Sequence, residues 1–120
     1  MKTKQRLRTV IWVGDAKKRL KAFPRSVQRD MGEALMFAQA GDKHALAKPM
    51  KGFGTGVFEI AKPFDTDTYR SIYAVLIGDA IYVLHAFQKK AKRGSKTPPQ
   101  EIELIKQRLK AAQDVENANT

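Results

Sequence analysis

Cysteine is missing from this chain, acids are scarce and no apolar run is long. Without cysteine there are no disulfides and no thiolate metal sites, which suits a reducing compartment. The two histidines, His44 and His85, lie far apart, and no Asp, Glu or His cluster has ligand spacing. A metal centre is therefore not expected, and nothing else in the sequence asks for a cofactor. No stretch approaches the length needed to span a bilayer. Lys2, Lys4, Arg6 and Arg8 resemble the start of a signal peptide, but Thr9–Val13 is too short for its apolar segment and Lys17–Arg19 interrupts. The expected location is the cytoplasm, with no membrane partner.

The shortage of acids leaves 23 Lys and Arg against 12 Asp and Glu, a net charge of +11. Such an excess favours a polyanionic partner, whether RNA, DNA, an anionic membrane or an acidic protein, and does not choose among them. With 42% apolar and 29% charged residues the chain reads as globular, and its 120 residues suit one domain, 1–120. Residues 1–8 form a basic tail, and 114–120 carry no core-forming pattern and are expected to fray.

Thr9–Val13 is a short β-rich run closed by Gly14-Asp15. Ala16–Ala22 has helical composition and must stop at Phe23, because the residue before a proline is pushed out of the α region. Pro24 opens a second helix with Val27, Met31, Leu35 and Ala38 on one stripe and Gly41 as its stop. Gly41–Gly56 reads as a loop, followed by strands at Val57–Ala61, Tyr69–Ile77 and Ala80–Phe87. Thr97-Pro98-Pro99-Gln100 starts a last helix, with Thr97 as N-cap, Pro98 in the first position and an apolar stripe of Ile102, Ile105, Leu109 and Ala112. The order β-α-α-β-β-β-α describes an α+β fold. Its last three strands form an antiparallel meander, the first strand completes the sheet, and the N-terminal helical hairpin covers one face.

The segment Ile81–Pro99 carries the chemistry. An apolar strand delivers His85 and Phe87 into a run of cations, Lys89, Lys90, Lys92, Arg93 and Lys96. If Gly78-Asp79 is a two-residue turn, Ile72 faces His85 and Arg70 faces Phe87. Arg70, His85 and Phe87 then emerge on one face, at the end farthest from the turn. Glu59, the one acid inside a predicted strand, sits beside them if its strand pairs with Tyr69–Ile77.

Cleaving RNA without a metal needs a base for the 2′-hydroxyl, an acid for the departing 5′-oxygen and cations for the phosphate. His85 titrates near neutrality and serves as acid or base, and Glu59 serves as base or orients His85. Arg70 clamps a phosphate, Lys89 and Lys90 neutralise developing charge, and Phe87 offers a stacking surface. Lys92, Arg93, Lys96 and Lys51 add contacts to the nucleic-acid backbone. Each residue also has a structural reading. His85 suits a satisfied core histidine, Phe87 core packing, and Arg70 a simple ion pair with Glu59.

Gly56–Ile60 (GVFEI), Tyr69–Val75 (YRSIYAV) and Ile81–Leu109 (IYVLHAFQKKAKRGSKTPPQEIELIKQRL) together resemble the phage-derived Gp-type branch of the RelE/HigB toxin family, over Thr9 to about Ala112. The resemblance implies a RelE-like fold and the toxin of a type II toxin–antitoxin pair. Such toxins are typically ribosome-dependent, metal-independent mRNA endonucleases, held in check by a helix-turn-helix antitoxin. It also implies an arginine at the position of Arg70 and basic or histidine side chains where His85, Lys89 and Lys90 stand, with Glu59 the matching acid. One departure is plain: many relatives end in a catalytic tyrosine, and here no tyrosine follows Tyr82. Two other functions fit the same fold: a ParE-like, non-enzymatic inhibitor of gyrase, and an inactive basic module that only binds nucleic acid. In each case an acidic antitoxin segment is expected to cover the basic face or displace the last helix.

Overall fold

The computed structural model describes residues 6–90 and 97–119. Its elements run β1 (Val10–Trp12), α1 (Ala16–Lys21), α2 (Arg25–Gln39), β2 (Ala47–Pro49), β3 (Val57–Phe64), β4 (Asp67–Ile77), β5 (Ala80–Lys90) and α3 (Pro99–Ala118). The strands form one sheet in the order β1-β5-β4-β3-β2. β2 to β5 are antiparallel neighbours, while β1 lies parallel to β5, with Val10 opposite Ile81.

Local chemistry sets the boundaries. Pro24 ends α1, and Gln28 donates to the carbonyls of Lys21 (3.0 Å) and Phe23 (2.8 Å), satisfying acceptors that the helix end leaves open. α2 buries Val27, Met31, Ala34, Leu35 and Ala38 and closes at Gly41, whose φ of 86° needs a residue without a Cβ. The alternating side chains of the sheet divide the core in two. α1 and α2 cover Ile60, Tyr69, Tyr73, Ile81 and Val83 on one face. α3 covers Ile72, Ala74, Tyr82 and Leu84 on the other, through Ile105 and Ala112.

The α+β class, the meander and the helical hairpin on one face match the sequence reading. Three details differ. The Gly41–Gly56 stretch contains β2, three residues that pair antiparallel with Phe58–Ile60 and are too short to show a period. α3 continues to Ala118, so residues 114–118 are part of the last helix. Pro98 rather than Thr97 stands at the N-cap, with no side-chain capping bond, and Pro99 takes the first helical position.

The hairpin register is instructive. Ile77 faces Ala80, Ile72 faces His85 and Arg70 faces Phe87, as counting from a two-residue turn requires. Between these points Tyr73 faces Val83 and Ala74 faces Tyr82. β4 therefore carries an extra residue near the turn and β5 carries one at Leu84, and the two shifts cancel. The bulge turns both Leu84 and His85 toward α3, where Leu84 joins the Ile105 cluster and His85 meets Glu101.

Candidate functional site

On the α3 side of the sheet, paired residues form rows across the strands. Lys48, Glu59, Ile72 and His85 make one row; Ala61, Arg70 and Phe87 the next; Pro63, Thr68 and Lys89 the last. Cross-strand partners project on the same side with Cβ atoms about 5 Å apart, so these rows are a contiguous surface. Leu46, Lys48, Glu59, Pro63, Thr68 and Arg70 line a groove of about 560 Å³ there. On its floor Arg70 Nη1 meets Glu59 Oε2 at 2.8 Å, with the arginine buried and the carboxylate partly open. The ion pair named as Arg70's structural reading is therefore formed. It also fixes a guanidinium and a carboxylate at the wall of an open groove.

His85 is set differently. Its side chain has no exposed surface. Nε2 lies 2.7 Å from Glu101 Oε1, in the first turn of α3, and Nδ1 lies 3.3 Å from Arg108 Nη1. Arginine can only donate, so Nδ1 accepts and Nε2–H donates to the carboxylate, the pattern of a neutral imidazole. Burial holds the histidine below its ordinary pKa; Glu101 opposes that shift and the Arg108 charge adds to it. Phe87 stacks on the ring at 5.3 Å and 21° and is itself buried.

Arg108 extends the network. It donates to Leu84 O (2.9 Å) and to Asp15 Oδ1 (2.7 Å), and Asp15 Oδ2 accepts from Arg19 (2.7 Å). The two guanidiniums hold the Asp15 carboxyl well below the usual carboxylate range, Arg19 foremost. Arg108 lies where a Cβ on Gly14 would stand, 2.7 Å from its Nη2, and Gly14 has a φ of 55°. A side chain at position 14 is thus strained by its backbone angle and would push the Arg108 guanidinium from its bonds.

The sequence-derived set is accordingly divided. Arg70, Glu59, Phe87 and Lys89 share one face, with Phe87 closed to solvent. His85 shares it too but lies under α3. Lys90 is exposed, pairs across from Asp67 and, one residue on from Lys89, projects to the other face. Lys51 sits in the turn after β2, at the end of the sheet where Gly56 O accepts from Val75 N, away from Thr68 and Lys89. Lys92, Arg93 and Lys96 fall outside the described residues. Burial pushes the Tyr73 hydroxyl up to about 12, which suits packing rather than proton transfer.

Sequence reasoning missed Lys48, because β2 is too short to be seen, and it missed Glu101, Arg108 and Asp15. Glu101, Ile105 and Arg108 stand at spacings of four and three along one helix face, so the signal for the last group was present. No group of His, Cys, Asp or Glu that could hold a metal occurs among the described residues, and none of their helices is long and apolar enough to cross a membrane.

No curated protein sequence matches this chain. Among solved structures it is similar to a chain in the crystal structure of the toxin–antitoxin complex RelBE2 from Mycobacterium tuberculosis. The TM-score is 0.46 and the identity 18%, over 73% of this chain and 98% of that one. The family model described as Phage derived protein Gp49-like (DUF891) matches residues 18–110. That span is most of the chain and includes β2 to β5 and half of α3, and the protein belongs to the phage-derived Gp49-like family, the branch that its strand-and-lysine segment resembles.

Proposed function

We propose that this protein is the toxin of a type II toxin–antitoxin pair, a ribosome-dependent, metal-independent mRNA endonuclease of the cytoplasm held in check by a helix-turn-helix antitoxin. The observation that carries the reading is the Arg70–Glu59 pair on the floor of an open groove, with Lys48 lining the same groove and Lys89 in the neighbouring row, in a chain of net charge +11. Arg70 and Lys89 receive the phosphate and stabilise the charge that builds on it. Glu59 takes the proton of the 2′-hydroxyl. Phe87 and His85 back the arginine, and His85 reaches substrate only if the first turn of α3 lifts away. Among the described residues no histidine lines the groove, which is why the ribosome is expected to complete the acid–base set.

Inducible expression in a bacterial host, with growth and transcript 5′ ends mapped together, tests this. Growth arrest with new cuts inside translated messages, both lost in Arg70→Ala, is the expected result. Arrest without cuts, accompanied by DNA-damage signalling, moves the reading to gyrase inhibition. That second reading has its own support in the sealed position of His85, since a non-enzymatic inhibitor needs no exposed acid or base. RNA binding with no effect on growth leaves a binding module.

A further inference from the structure

Away from the Arg70 groove, the opposite face of the sheet has a second concavity where edge strand β1 meets α1 and α2. Val10, Trp12, Leu20, Gly32 and Leu35 line it, with a volume of about 270 Å³, and Lys17 and Lys21 stand at its rim. Among the described residues β1 has one strand neighbour, β5, so its other side presents main-chain donors and acceptors. Met36, one helical turn beyond Gly32, is 58% exposed, and Ile11 on the edge strand is exposed as well.

Gly32 makes this more than an apolar dent. It occupies the middle of α2, where glycine is the worst helix former after proline. Its φ is not positive, and a Cβ added there would meet nothing within 4 Å. Neither backbone geometry nor packing within this chain accounts for the residue. A notch kept clear beside an unpaired strand edge is explained if another backbone approaches at that point.

We infer that the β1–α2 groove is the seat of an acidic, extended segment of the partner protein, which adds to β1 as a sixth strand. Its inward apolar side chain fills the notch over Gly32 against Trp12 and Leu35, and its carboxylates meet Lys17 and Lys21. The occupant is a peptide because the edge offers main-chain hydrogen bonds and the walls are apolar. It is acidic because the charges lining the groove are both lysines. The identity of the partner as an antitoxin rests on the function proposed above; the surface itself lies apart from the Arg70 groove, so neutralisation here acts from outside the proposed active site.

The test uses the full chain and, as probe, the protein encoded by the adjacent reading frame. Gly32→Lys removes the notch while improving helix propensity, so the variant should fold with an unchanged or higher Tm. It should bind the probe at least 10-fold more weakly and arrest growth without being relieved by it. The double reversal Lys17→Glu/Lys21→Glu should weaken binding to a similar extent, and hydrogen exchange should show residues 10–13 and 28–39 protected in the complex. Unchanged affinity in Gly32→Lys, with no such protection, overturns this inference and leaves the toxin reading standing. A parent chain that binds no probe overturns the partner reading and this inference together. Self-association of the parent chain that Gly32→Lys abolishes identifies a second copy as the occupant, and also overturns it.

Discussion

One face of this sheet holds two charged clusters handled in opposite ways. Toward the β4–β5 turn, α3 lies across the strands and seals His85, which Glu101, Arg108 and the more exposed Asp15 tie into a chain of bonds that joins helix, sheet and α1. Past the first turn of α3 a groove opens, lined by Arg70, Glu59 and Lys48, with the arginine buried at its floor and Lys89 in the next row of the sheet. Both clusters contain the residue types that act on phosphates. The difference lies at the centre of each: His85 has no exposed surface beneath the helix, whereas the Arg70–Glu59 pair lines a groove that a ligand can enter.

The sharpest way to break this comparison is to remove the central group on the open side. Arg70→Ala should lower transcript cleavage by about 10²–10³-fold, the usual loss when one charge-stabilising donor is deleted. The circular dichroism spectrum should stay native, and cleavage at parental rates would place the chemistry elsewhere. On the sealed side the effect should be on stability. Arg108→Ala leaves the Asp15 carboxylate and the Leu84 carbonyl short of a donor, at a cost of about 1–3 kcal/mol read from urea unfolding. Released α3 should also bring faster amide exchange in residues 99–112.

The pH dependence sharpens the contrast further. Burial keeps the folded-state pKa of His85 below its ordinary value of 6.5, so the unfolded chain takes up the extra proton first as pH falls. The stability contributed by a neutral His85 is complete above 6.5 and declines below it. Asp15, held low by Arg19 and Arg108, adds a second loss only below about 3.9. Thermal unfolding at pH 7.5 and 5.5 should show a drop in Tm that His85→Asn reduces. The smallest expected effect separates two adjacent lysines. Lys89→Ala should reduce the salt dependence of RNA binding by about one counterion, and Lys90→Ala, on the other face, by less.

Much of this was legible in the sequence because its signals were local. Proline and glycine placed the ends of α1 and α2, and the Gly78-Asp79 turn placed Arg70 opposite Phe87. That register succeeds only because two bulges offset each other, which no period-two reading reveals. The juxtaposition of Arg70 with Glu59 could be stated as a condition, since the β3–β4 turn at Asp65, with a φ of 57°, is not one that the residues Lys62–Thr68 advertise. The burial of His85 could be stated only as an alternative, the satisfied core histidine, for a different reason. Its partners Glu101 and Arg108 come from a helix 16 and 23 residues away, and nothing in the strand's own pattern says which helix will cover it.

The parallel pairing of β1 with β5 bears on the order in which the molecule is made. Val10 meets Ile81 only after the chain between them has been synthesised and the β4–β5 hairpin exists to receive it. Closing so long a loop is entropically unfavourable until that template is in place, so the N-terminal strand joins among the last contacts to form. The wall that β1 gives to the concavity beside it therefore waits on β5. A partner that recognises β1 and Gly32 would in effect inspect each newly made chain for a sheet that has closed, engaging it once β1 has docked on β5 and not before.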